Sequence, residues 1–307
     1  MHYAFMLGRG TTDAIFIIWC TKGFLLYIND LPDSVKSITR LFADDSLLYR
    51  RIKTAEDASI LQEDLNRLQQ WERDWMMSFN PSKCEVLHIT RKKSPSKAAY
   101  TLHGQTLSVA KSGSYLGVTV SDNLSWNEHV NKATTKANNS LAFIRRNLAS
   151  CPQSTKAQAY QSLVRPPLDY ASSAWDPHTT GCVQQIEAVQ RRAARFVKGD
   201  YRTTSSTSQM IQDLGWQPLQ VRRQQAKVTL MYRIVYNLVD IPGNQYLHTT
   251  TSVTRGHGLR FIVPFTRTDA MRHSFFPSAI RLWNQLPEPV ATASTLEAFK
   301  RELTRTP

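Results

Sequence analysis

Apolar residues recur at two different periods along this chain, and the change falls near Trp126. Before it the apolar runs are short. Residues 38–41 and 47–49 flank Phe42-Ala43-Asp44-Asp45 and read as two strands joined at a tight turn. Residues 85–90 read as another strand, 100–102 and 105–109 as a hairpin turning at His103-Gly104, and 114–120 as one more short strand. One helix interrupts this region. Thr54-Ala55-Glu56-Asp57 has the form of an N-cap with an acid three residues on. Ala58, Leu61, Leu65, Leu68, Trp71 and Trp75 follow at steps of three and four. The helix is expected to run to about Met76, and Asn80-Pro81-Ser82 to end it in a turn. Trp71 and Trp75 read as core anchors, with base stacking as the alternative.

From Trp126 onward the period is that of a helix. Val130, Ala133, Ala137, Leu141, Ile144 and Leu148 mark the first, ended by Cys151-Pro152. A second starts at 154–164 and breaks at Pro166-Pro167. The third spans 183–198, with Ile186, Val189, Ala193, Phe196 and Val197 on its apolar face and Arg191, Arg192 and Arg195 on its polar side. A fourth covers 218–239. Residues 241–275 read as loop, and short helices near 277–283 and 295–303 finish the chain. The expected fold class is therefore α+β over residues 1–125, followed by an all-α region over 126–307.

Composition fits a globular protein, with 41% hydrophobic and 10% aromatic residues. The net charge of +14 is unevenly placed. Residues 1–90 carry 10 Lys/Arg against 12 Asp/Glu, and residues 91–307 carry 28 against 12. The basic surplus lies entirely after the Asp-Asp turn, and a basic body of this kind suits a phosphate backbone. Arg91-Lys92-Lys93-Ser94-Pro95-Ser96-Lys97 is either a phosphate-contacting loop or solvated loop charge. The four cysteines, Cys20, Cys84, Cys151 and Cys182, show no zinc-ligand spacing and read as free thiols of a reducing compartment. The apolar run at 14–20 is far short of a membrane span. No signal-peptide pattern is legible, so an intracellular place, nuclear or cytoplasmic, is expected, without a membrane partner.

Asp44 and Asp45 are the candidate chemistry. Two adjacent carboxylates at a strand turn make a hard, oxygen-only site of the kind Mg²⁺ prefers, or else a solvated turn held by local hydrogen bonds.

Several blocks, in order, carry a resemblance. They are Phe24-Leu25-Leu26-Tyr27-Ile28-Asn29-Asp30-Leu31-Pro32, Leu41-Phe42-Ala43-Asp44-Asp45-Ser46, and Leu68, Trp71 and Trp75 with Phe79-Asn80-Pro81-Ser82-Lys83-Cys84. Tyr115-Leu116-Gly117-Val118 follows, with Leu124-Ser125-Trp126 and His129. Further on come Leu168-Asp169-Tyr170-Ala171, Trp175-Asp176-Pro177, Gln190-Arg191-Arg192-Ala193, Ser274-Phe275-Phe276-Pro277 and Trp283-Asn284-Gln285-Leu286-Pro287. Together they resemble the reverse transcriptases of non-LTR (LINE-type) retrotransposons. The resemblance implies a partial palm, a short antiparallel sheet with helices, and then an all-α thumb and C-terminal region. It implies RNA-directed DNA polymerase chemistry with an RNA template, a DNA primer, deoxynucleotides and Mg²⁺. Asp44 matches the metal-binding position, with Asp45 as the lesser ligand. Lys83 matches a lysine near the triphosphate, a general acid for pyrophosphate or an ordinary surface lysine. Leu116 and Gly117 match the primer-gripping turn, and Arg191, Arg192 and Arg195 form the candidate nucleic-acid patch.

The departure is upstream. Residues 5–18 are similar to a fingers-region block, which in the family precedes a strand bearing the first catalytic aspartate and a Pro-Gln-Gly loop. Here only Trp19-Cys20-Thr21-Lys22-Gly23 separates that block from Phe24. A genomic deletion, a splice artefact or a mispredicted gene would each produce this gap. The chain is expected to be a polymerase fragment, inactive alone. The alternatives are a non-catalytic basic nucleic-acid-binding remnant and the product of a decaying element without a present role.

Overall fold

The computed structural model describes residues 13–19 as backbone, and 28–42, 45–90, 98–250 and 256–305. Two compact units divide between Glu128 and His129.

In the first unit β1 (Asp13–Trp19), β2 (Ile38–Phe42), β3 (Asp45–Arg51), β4 (Glu85–Ile89) and β7 (Ser108–Ala110) form one sheet in the order β2-β3-β1-β4-β7. All pairings are antiparallel except β4 with β7, which is parallel. The sheet is thus mixed, where the sequence suggested a purely antiparallel one. The chain crosses over through β5 (Thr101–Leu102) and β6 (Gln105–Thr106) before β7, and so reaches β4 running in the same direction. Residues 13–19, most of which fall at the end of the fingers-like block at 5–18, form the central strand β1, between β3 and β4.

One face of the sheet is covered by α1 (Ala55–Asp74). Leu48 and Val86 meet Leu61, Leu65, Leu68 and Trp71 in a single core, as the three-and-four spacing requires. The capping box is formed as read: Thr54 Oγ1 accepts from the Asp57 backbone N–H, and the Asp57 carboxylate accepts from that of Thr54. Trp71 is buried, but Trp75 is 39% exposed at the helix end. Only the first is a core anchor, because the helix stops before Trp75 completes its turn.

Residues 112–121 correct a single-strand reading. They fold as β8 (Ser112–Tyr115) and β9 (Val118–Ser121), paired antiparallel around Leu116-Gly117.

The second unit is helical from α2 (Asn127–Asn147) to its end. α3 (Gln153–Ala159) runs through a wider turn to a bend at Arg165, and α4 (Pro166–Asp169) restarts at the prolines, as expected. A π turn over Tyr160–Val164 connects them, with the Arg165 N–H donating to the Tyr160 carbonyl at 3.0 Å. That wider turn accommodates a ring that cannot donate an amide hydrogen. Next come α5 (Thr180–Lys198), α6 (Thr207–Asp213) and α7 (Leu219–Val235). The stretch read as loop contains α8 (Asp269–Arg272). α9 (Phe275–Trp283), α10 (Glu288–Ala291) and α11 (Leu296–Arg305) complete the unit. Beyond Ser121 the described residues contain no strand, only an isolated bridge between Thr249 and Phe261. No described helix is long and apolar enough to cross a membrane.

Candidate functional site

The β2–β3 hairpin places Asp45. Phe42 pairs with Asp45, so two residues, Ala43 and Asp44, connect the strands. Asp44 itself lies outside the described residues, as do the 20–27 gap and the basic loop at 91–97. The hairpin is anchored by an acid that the sequence pattern assigns to the solvent side of α1. Asp64 is fully buried, and its carboxylate accepts the backbone N–H groups of Lys36 and Ser37 at 2.9 and 2.8 Å, just before β2. Arg67 supplies its counter-charge at 2.7 Å. Two orphan amides and one carboxylate thereby fix where β2 starts.

Strand alternation puts Arg40, Phe42, Asp45, Leu47 and Tyr49 on the face away from α1. Tyr115, at the end of β8, meets that face. Its hydroxyl pKa is raised by burial first and then by the Asp45 carboxylate, while Arg40 opposes the shift. The turn after Tyr115 has Leu116 at φ 49° and Gly117 at φ 76°, the positive pair that a two-residue hairpin loop demands. Gly117 adopts this freely. Leu116 adopts it at a cost of about 1 kcal/mol. The structure thus brings Tyr115, with Leu116-Gly117 following it, to the Asp45 side of the sheet. Tyr115 was not singled out as a site residue. Its signal was its place directly before Leu116-Gly117.

Lys83 is exposed at the end of a 3-10 turn, Pro81–Lys83, capped by Asn80. Two residues later Glu85 stands opposite Ile17, which also pairs with Leu47. Lys83 therefore belongs to the Asp45 end of the sheet, with β3 and β4 two strand spacings apart, about 10 Å.

The upstream acid is at the wrong end. β1 runs beside β3 with Trp19 opposite Asp45 and Asp13 opposite Arg51. Six residues along a strand is roughly 20 Å. A two-metal site needs carboxylates that share ions about 3.5–4 Å apart. Among the described residues no three His, Cys, Asp or Glu side chains converge on one point. Asp44 is outside the described residues, so the described donors at this end of the sheet are Asp45 with a cationic and a phenolic neighbour.

In the second unit Arg191, Arg192 and Arg195 lie on α5. Arg191 donates to the Gln184 carbonyl at 3.3 Å, Arg192 to Asn138 of α2 at 2.9 Å, and Arg195 to the Arg202 carbonyl at 2.8 Å. Every one of these acceptors is neutral. Arg192 turns toward α2, where Asn138 accepts its hydrogen bond.

Comparison with known proteins decides the lineage. The chain is 24% identical over 185 residues to the probable RNA-directed DNA polymerase from transposon X-element of Drosophila melanogaster. It is 29% identical over 173 residues to that from transposon BS, and 24% over 190 residues to the RNA-directed DNA polymerase from mobile element jockey, both of the same species. This chain is a homologue of the RNA-directed DNA polymerases of non-LTR transposons. The matches cover 57%, 54% and 57% of the chain but only 20%, 19% and 20% of those relatives. No family model matches. Homology to these polymerases leaves the individual site residues to experiment.

Proposed function

We propose that this chain is a catalytically silent fragment of a non-LTR retrotransposon reverse transcriptase, in which the first unit corresponds to a partial palm and the second to a thumb and C-terminal region. The observation that carries the silence is the register of β1. In the backbone register of β1, Trp19 pairs with Asp45, and the strand's acidic residue, Asp13, pairs with Arg51 at the far end. Bound Mg²⁺ would lower the pKa of a primer hydroxyl and neutralise pyrophosphate. Asp44 and Asp45 would be its ligands, Lys83 the proton donor, and Leu116-Gly117 the support for a primer. One turn supplies too few ligands for that work.

What remains is a nucleic-acid surface. Its electrostatic source is the excess of 28 Lys/Arg over 12 Asp/Glu after residue 90. Among the described residues Arg191, Arg192 and Arg195 bond to neutral oxygens, so no ion pair there offsets their charge. Such a surface binds an RNA–DNA primer–template duplex through phosphates, with strong salt dependence and without sequence choice.

Two measurements test this. Primer extension is run with Mg²⁺, a primed RNA template and deoxynucleotides, comparing the unaltered chain with Asp44→Asn. Background incorporation by both is expected; extension that Asp44→Asn abolishes would refute the silence. Duplex binding is then followed against salt. Replacing all three arginines by glutamine should weaken binding alike for all sequences and flatten the salt slope by up to about three phosphate contacts. Unchanged affinity at low salt would place the footprint elsewhere.

A further inference from the structure

The second unit generally gives its inward cations an acid. Arg222 and Arg165 share Asp169, Arg223 and Lys227 share Asp176, and Lys198 meets Asp213. One cluster breaks this habit. His178, in the segment before α5, stacks on His273, directly after α8, with ring centroids 4.0 Å apart and planes inclined by 4°. Arg272 precedes His273, and Arg281 of α9 reaches over to donate to the Arg272 carbonyl. Neither guanidinium has a carboxylate partner among the described residues.

The two rings are thus in contact, Arg281 is bonded to the backbone just before His273, and the charge of the exposed Arg272 acts on both His273 and Arg281. Asp269 is the one carboxylate whose charge acts on His273. The pKa of His273 is lowered by burial, then by His178, Arg281 and Arg272, with Asp269 opposing. That of Arg281 is lowered by burial and by Arg272. Crowding like charges raises the energy of the site when it is empty, and an anion placed among them relieves it. The donors suit a tetrahedral oxyanion. Two guanidiniums offer forked N–H groups, and two imidazoles become donors on both nitrogens once protonated.

We propose that Arg272, Arg281, His178 and His273 form a phosphate-binding site whose occupancy is coupled to protonation of the two histidines. The ligand chemistry is a phosphate group, carried either by a polynucleotide backbone or by a small phosphorylated molecule. The site is separate from the α5 patch and from Asp45, so its failure would leave the proposed function standing, and the reverse also holds.

The probe is inorganic sulfate, a dianion across the working pH range, exchanged for chloride at constant ionic strength. Histidine ring protons of the full chain are followed by NMR from pH 5 to 8. Saturating sulfate should raise the pKa of His273 by about one unit and perturb the ring protons of His178 with it, which corresponds to roughly tenfold tighter binding below the His273 pKa than above it. The other histidines should move little. The shift should vanish in Arg272→Gln/Arg281→Gln. Should that double variant unfold, His178→Gln, a change at an exposed residue, should reduce the shift at His273. Sulfate that moves no histidine, or moves all of them alike, overturns the proposal, as does an undiminished shift in the variants. Oligonucleotides with and without a 5′-phosphate then identify the source. A shift with either one indicates a polynucleotide phosphate, and a shift with sulfate alone a small phosphorylated ligand.

Discussion

Asp176 is the counter-charge for two interior cations, and replacing it by asparagine should be among the most costly single changes in the second unit. The Arg223 side chain is 0% exposed and that of Lys227 4%, while Asp176 is 21% exposed. Asp176 accepts from Arg223 Nε at 3.2 Å and from Lys227 Nζ at 2.7 Å. The Nη1 and Nη2 groups of Arg223 find no acceptor, so the guanidinium depends on this single carboxylate. Removing one partner of a buried ion pair costs about 3–5 kcal/mol, because the other charge is left in a poor solvent. Asp176→Asn keeps the shape and leaves two such charges, so a loss of about 4 kcal/mol is expected, a large share of a domain stability of roughly 5–15 kcal/mol. The control is Asp169→Asn. Its partners Arg222 and Arg165 are 32% and 27% exposed, and water can take over their hydration, so about 1 kcal/mol is expected. Urea unfolding read by tryptophan fluorescence suits the comparison, since Trp175 is fully buried beside Asp176. Equal losses in the two variants, both near 1 kcal/mol, would refute the reasoning and mean that water reaches Arg223 and Lys227.

Three further outcomes are expected. His129 packs edge-on against Trp175 with centroids 4.4 Å apart, and burial, helped by Lys132, lowers its pKa from 6.5 to about 4. Below pH 6.5 the unfolded chain takes up a proton that the folded chain refuses. Stability is therefore full above pH 6.5 and falls by about 3 kcal/mol as pH drops to 4; His129→Gln should lack that part of the acid slope, and identical slopes would count against it. Thr54→Ala should cost about 1 kcal/mol by opening the capping box of α1, read as a lower urea midpoint; a loss just as large in an Asp57→Ala background, where half of the box is already gone, would count against the box acting as a unit. Leu116→Gly should stabilise the β8–β9 turn by up to about 1 kcal/mol by relieving a left-handed backbone; a loss larger than that would mean that contacts of the leucine side chain outweigh the relief.

Local structure was largely legible from the chain itself. The α1 cap, its three-and-four stripe and the long helices after Trp126 follow from side chains that interact within a few residues of one another. So does the pairing of the strands on either side of Ala43-Asp44, because two short apolar runs separated by two residues have one convenient way to pair. The β8–β9 hairpin was missed because leucine at the first turn position hides the positive-φ signal that Asn-Gly would give. The π turn before Pro166-Pro167 was missed because it involves no residue type that announces it.

The placement of the acids was decided elsewhere. The sequence by itself determined that Asp45 starts a strand paired with the run ending at Phe42, that the basic surplus follows residue 90, and that the chain is similar to transposon polymerases. Only the tertiary structure decided that residues 13–19 enter the sheet between β3 and β4, and in a register that sets Asp13 opposite Arg51. Strand partners far apart in sequence are chosen by which register buries the most apolar surface, and a one-residue slip reverses every side chain. No local pattern encodes that choice. The same holds for Asp64, which the helical wheel assigns to solvent and the fold buries completely, because its partners, the amides of Lys36 and Ser37, come from a segment that only the packed sheet brings near.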